Sequence, residues 1–117
     1  MDYIGISLDL ELEITKLLSQ MGFPTHIKGY LYLRKIILLA INDDINDTLM
    51  KVLYHSVAKE YQTTSSRVER AVCHTIDAAW ARGDDAFHNR YFGCTIKPTN
   101  MQFIKKVSDD LRLKNKL

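Results

Sequence analysis

The sequence predicts an all-α domain, a compact set of about six helices that contains a helix-turn-helix and no sheet, and three observations point there. Apolar residues recur at helical rather than alternating spacing along most of the chain. Two prolines and five glycines are spread over 117 residues, too few for the turn chemistry of an all-β fold. A content of 46% hydrophobic and 26% charged residues suits a chain that buries one core, and the length suits one domain over residues 1–117.

A first helix is expected from Asp9 to Met21, where Leu10, Ile14, Leu17, Leu18 and Met21 share a face and Glu11 and Glu13 suit the positive end of the macrodipole. Gly22 ends it and Pro24 lies beyond, so residues 24–29 form a connector. Tyr30 to Ile41 is apolar and long enough for a buried helix, closed by Asn42-Asp43-Asp44. Two shorter helices follow, Ile45 to Val52 with Asn46 or Asp47 as cap, and Tyr54 to Tyr61. Thr63-Thr64-Ser65-Ser66 offers N-cap chemistry for a longer helix, with Ser66 as the cap, Glu69 as its capping-box partner, and Gly83 as a left-handed C-cap after Arg82. A short helix from Asp84 to Phe92 and a loop from Gly93 to Lys97 come next. Pro98-Thr99-Asn100 then opens a last helix, Met101 to Leu113, with the stripe Phe103, Ile104, Val107 and Leu111.

Cys73 and Cys94 are too few for a disulfide framework, which points to a reducing cytoplasm. No apolar run approaches the roughly 18 residues of a membrane span. The net charge of +2 says little about partners, but its distribution says more. Residues 1–14 carry only acids, whereas the end of the chain carries Lys97, Lys105, Lys106, Arg112, Lys114 and Lys116 against Asp109 and Asp110. A solvated helix face and a phosphate-contacting surface both fit that basic end.

The stretch from Tyr54 to Arg82 has the form of a helix-turn-helix, a short helix and a longer one with a polar, basic first turn. Ala58 is the small residue at the crossing, Val57, Tyr61, Val68 and Ala71 are the apolar ones, and Gln62 takes the turn position where glycine is common. On a helical wheel Val68, Ala71, Val72, Thr75, Ile76 and Ala79 face one way, and Ser66, Arg67, Arg70, Cys73, His74 and Asp77 the other. Arginine bonds bidentately to guanine and glutamate accepts from cytosine, so Arg67, Glu69 and Arg70 are the expected base-reading residues. An acid between two arginines is wasteful for plain phosphate binding and so points to base readout. Lys28, His26, Lys59, Ser65, Ser66 and His74 are expected to support them or to touch the DNA backbone. A solvated face in which Glu69 pairs with the arginines is the plainer alternative for these positions.

The chain has no GxSxG, HExxH, GxxxxGK[ST] or GxGxxG, so an enzyme is not expected, and neither is a cofactor. A metal site from Cys73, His74, His88 and Cys94 is disfavoured because adjacent helical positions diverge by about 100°. The rival to DNA binding is a helical protein-interaction module whose helix pair merely looks like a helix-turn-helix.

Three strings, His26-Ile27-Lys28-Gly29-Tyr30-Leu31-Tyr32-Leu33-Arg34, Ser66-Arg67-Val68-Glu69-Arg70-Ala71 and Ala79-Trp80-Ala81-Arg82-Gly83, resemble the effector-domain family of stage zero sporulation protein A. The likeness continues through Phe92-Gly93, Lys97-Pro98-Thr99-Asn100 and Leu111-Arg112-Leu113. It implies a six-helix effector domain of the response-regulator type that reads a TGTCGAA-like box through Arg67, Glu69 and Arg70. It also implies a phosphorylatable receiver domain upstream, dimers on tandem boxes, and an RNA polymerase sigma-factor contact through Asp84, Asp85, Phe87 and Phe92. Two departures from the family are Cys73, where some relatives carry a basic residue, and a more compact 93–97 loop.

Overall fold

The computed structural model describes residues 3–83, 85–93 and 96–115, with side chains from residue 9 onward. Its elements are α1 (Tyr3–Gln20), α2 (Lys28–Ala40), α3 (Asp47–Glu60), α4 (Ser65–Arg82), α5 (Asp85–Phe92) and α6 (Asn100–Asn115). No strand occurs among the described residues, as the helical periodicity predicts. Helix α2 is the centre: it packs against α1, α3, α4 and α6, which is why the run from Ile36 to Ile41 is apolar nearly all round. Ile14 and Leu18 of α1, Val57 of α3, Val72 and Ile76 of α4 and Phe103 and Val107 of α6 close on it from four sides.

The expected first helix begins earlier, at Tyr3, and this changes the role of its acids. Glu11 and Glu13 lie in mid-helix, away from the positive dipole end, and pair instead with Arg34 at 3.3 Å and Lys114 at 3.8 Å. The helix stops as expected at Gly22, whose φ of 87° is open to glycine. Gly22 N–H donates to the Ser19 carbonyl and Phe23 N–H to that of Leu18, a Schellman closure. Two expected short helices are one continuous α3, because Val52-Leu53-Tyr54 holds no breaker and Leu53 and Tyr54 are both buried. Asn46 caps it, its Oδ1 accepting from Leu49 N–H at 2.8 Å.

Two glycines are required by close approach. A Cβ on Gly29 would stand 2.3 Å from the Ala71 carbonyl oxygen, so only glycine lets α2 start one residue row from the backbone of α4. Gly83 is not the left-handed cap expected of it; its φ is −85° and its ψ −175°. Its need for glycine comes from tertiary contact, since a Cβ there would meet Met21 O at 2.3 Å and Ala79 O at 2.5 Å. Beside this junction His88 is 1% exposed, donates from Nε2 to Met21 O at 2.8 Å, and stacks on Trp80 at 4.0 Å, fastening α5 to the end of α1.

Candidate nucleic-acid interface

The helix-turn-helix is built from α3 and α4. Four residues join them: Tyr61 N–H donates to Val57 O at 3.0 Å, Thr63 N–H to Ala58 O at 2.9 Å, and Gln62 between them takes φ 56°. A side chain in that region costs about 1 kcal/mol relative to glycine, and the surrounding bonds hold it there. Ala58 is 2% exposed and Val57 and Val68 are fully buried where the helices cross. Tyr61, expected among the apolar contacts, is 41% exposed and rests edge-on against Tyr32 at 5.1 Å.

The cap of α4 differs from the expectation. Thr64, not Ser66, is the N-cap: its Oγ1 accepts from Arg67 N–H at 3.2 Å and α4 begins at Ser65. Glu69 is therefore beyond the reach of a capping box, and its carboxylate is left on the outer face. The shift leaves the wheel intact, because Val68, Val72, Thr75, Ile76 and Ala79 are buried and Ala71, against Gly29, is half-buried.

Ser66, Arg67, Glu69, Arg70 and His74 are exposed and their side chains make no hydrogen bond or ion pair among the described residues. The plainer alternative, with Glu69 pairing to the arginines, is not what the structure has. The outward stripe is shorter than the wheel implies. Asp77 is tied to Lys97 by an ion pair, and Cys73 is half-buried in the wall of a cleft of about 990 Å³ between α3, α4 and the start of α6. The bond to Asp77 holds the Lys97 ammonium above its ordinary range.

The flanks carry further cations. Lys28 is the first residue of α2, whose N-cap residue Ile27 provides no side-chain bond, and this turn lies beside the middle of α4. His26 is exposed in the connector just before it, and Lys59 is exposed at the end of α3, next to the turn. Ser65 is half-buried in the first turn of α4.

The expected sigma-factor residues divide. Asp84 lies outside the described residues, and Asp85 is exposed in the first turn of α5. Phe87 and Phe92 are half-buried and turn inward: Phe87 stacks on Tyr91 at 6.1 Å and Phe92 on Phe103 at 5.5 Å. Beyond Asp85 the exposed residues of α5 are Ala86, Asn89 and Arg90.

Sequence reasoning passed over Tyr54 and Asn100. Tyr54 is buried beneath Glu69, and burial together with that carboxylate raises its hydroxyl above the ordinary range. Asn100 Nδ2 donates to Tyr54 Oη at 3.1 Å and to Glu69 O at 3.0 Å. Thr99 ahead of it forms a reciprocal capping box with Gln102, a T-x-x-Q signal present in the sequence.

No helix of the described residues is long and apolar enough to cross a membrane. The family model described as Sporulation initiation factor Spo0A C terminal matches residues 14–111, from the middle of α1 nearly to the end of α6.

Proposed function

This chain belongs to the Sporulation initiation factor Spo0A C-terminal family, a sporulation response-regulator DNA-binding domain, and from that premise we propose that α4 reads a TGTCGAA-like box in the major groove to regulate sporulation genes. One observation carries the reading: two arginines flank a glutamate on the exposed first turns of a helix whose opposite face is locked into the core, and none of the three has an ion-pair partner among the described residues. Such side chains are free to meet base edges, and their direction is set by a rigid helix. Lys28 with the uncapped start of α2, His26 and Lys59 supply backbone contacts on either side, which set affinity and salt dependence rather than sequence preference. Ser65, Ser66 and His74 support them from α4 itself.

The domain acts by binding and performs no reaction, working in the cytoplasm as a homodimer on tandem boxes. RNA polymerase sigma factor meets it at α5, where Asp85 offers charge and Phe87 and Phe92 hold the helix in place from within. A protein-interaction module without DNA readout would want an apolar face at this position, whereas the stripe is charged and polar.

The test is a salt-titrated binding assay of the wild type and Arg70→Ala on a TGTCGAA duplex and on a scrambled one. Wild-type preference for the box, lost in Arg70→Ala while weak salt-dependent binding persists, is the expected result. Equal binding of both duplexes by the wild type sinks the base-reading assignment, and no binding at low salt moves the protein-interaction reading ahead.

A further inference from the structure

Asn100 stands outside the helix-turn-helix, at the first residue of α6, yet its side chain ends between the two helices of that motif. Its amide nitrogen donates one hydrogen to the Tyr54 hydroxyl of α3 and the other to the Glu69 carbonyl of α4. A main-chain carbonyl only accepts, so it is the nitrogen and not the oxygen of the carboxamide that faces these partners. Both donors of the group are used, and each goes to a different helix.

The anchor is itself held. The Thr99–Gln102 capping box sets the start of α6, and Lys97 pairs with Asp77 about two turns further along α4. Lys97 and Asn100 thus grip α4 at two heights, and the Asn100 grip is on the carbonyl of Glu69 itself, one peptide from Arg70. Bidentate readout of a base tolerates little rotation of the helix that presents it, whereas contact with a phosphate tolerates much more.

We infer that Asn100 is a positioning residue for sequence reading: it sets the rotation of the first turns of α4 against α3, and with it the direction in which Glu69 and Arg70 leave the helix. This rests on the proposal that α4 reads DNA. Losing Asn100 removes discrimination before it removes affinity. Asn100→Asp keeps the volume and a bond from the Tyr54 hydroxyl but sets a carboxylate against the Glu69 carbonyl, which only accepts, and Asn100→Ala removes both bonds. Tyr54→Phe removes only the α3 leg and keeps the ring packing.

Box and scrambled duplexes are titrated with the wild type and these three variants at fixed salt, with the melting of each variant followed by circular dichroism. Two hydrogen bonds correspond to a fall of about tenfold in the box-to-scrambled affinity ratio. That fall is expected for Asn100→Ala and Asn100→Asp, with Tyr54→Phe between them and the wild type, while scrambled-duplex affinity and its salt slope stay as they are. A purely structural role gives parallel losses on both duplexes with the ratio unchanged, which overturns the inference. If the Asn100 variants do not fold, an unchanged ratio in Tyr54→Phe overturns it equally. A wild type that prefers neither duplex sinks the DNA-reading proposal and this inference with it, a result separate from the other two because the wild type alone produces it.

Discussion

The first turns of α4 carry three charged side chains and α6 carries six, and the structure treats the two sets in opposite ways. On α6, Lys105 bridges Asp44 and Asp109, Lys106 pairs with Asp110, Arg112 with Asp109 at 2.8 Å, and Lys114 with Glu13. On α4, Arg67, Glu69 and Arg70 have no such partner among the described residues. The described cations of the basic end, Lys97, Lys105, Lys106, Arg112 and Lys114, which fit phosphate binding when charges are only counted, are each paired with an acid of the chain. A cation already paired within the chain gains less from a phosphate than a solvated one, because its ion pair must first be broken. Unspent charge, rather than the number of basic residues, marks the surface fit for nucleic acid.

The contrast is broken most directly at Arg70. Its replacement by alanine is expected to cost about 1–3 kcal/mol of discrimination between box and scrambled duplex, read by fluorescence anisotropy; retention of full preference would place base reading elsewhere. Next in size is Gly29→Ala, which sets a methyl group against the Ala71 carbonyl and forces α2 away from α4. A loss of about 2 kcal/mol in urea unfolding is expected, without change in the box-to-scrambled ratio of the folded fraction.

Alkaline unfolding sharpens the comparison from within, since buried Tyr54 lies under one surface and half-buried Tyr91 against the other. Burial raises the hydroxyls of both Tyr54, under α4, and Tyr91, against α6. A group raised on folding keeps its proton in the native state while the unfolded chain gives it up. Its contribution is therefore complete below the unfolded value of about 10 and is lost as pH rises toward the folded one. Stability should fall as pH rises above about 10, and Tyr54→Phe and Tyr91→Phe should each flatten that fall in alkaline urea unfolding. Smaller still, Lys28→Gln and Lys59→Gln should weaken box and scrambled binding alike and lower the salt slope by about 1 apiece. Smallest of all, Lys105→Gln and Lys106→Gln should leave the salt slope unchanged and alter stability by under about 1 kcal/mol; a slope that drops would erase the distinction between the two faces.

Much of this was legible in local patterns. Leu10, Ile14, Leu18 and Met21, or Phe103, Ile104, Val107 and Leu111, repeat with the period of a helix and are buried together. The wheel of α4 separated Val68, Val72 and Ile76 from Arg67 and Arg70 without any tertiary information, because a helix buried on one side records that side in its own sequence. Caps were less legible: Thr64 and Ser66 are chemically equivalent candidates two residues apart, and the position of the Gln62 turn chooses between them.

By itself, then, the sequence determined the helices, their buried faces and the stripe that carries Arg67, Glu69 and Arg70, since each depends on spacing within one turn or two. The tertiary structure decided the rest. It joined residues 47–60 into one helix, placed Gly83 in an extended conformation against Met21 O, paired Lys114 with Glu13, and brought Asn100 to Tyr54 and Glu69. Those partners stand up to about a hundred positions apart, a separation at which no helical period operates and only the packing of α2 at the centre determines which side chains meet.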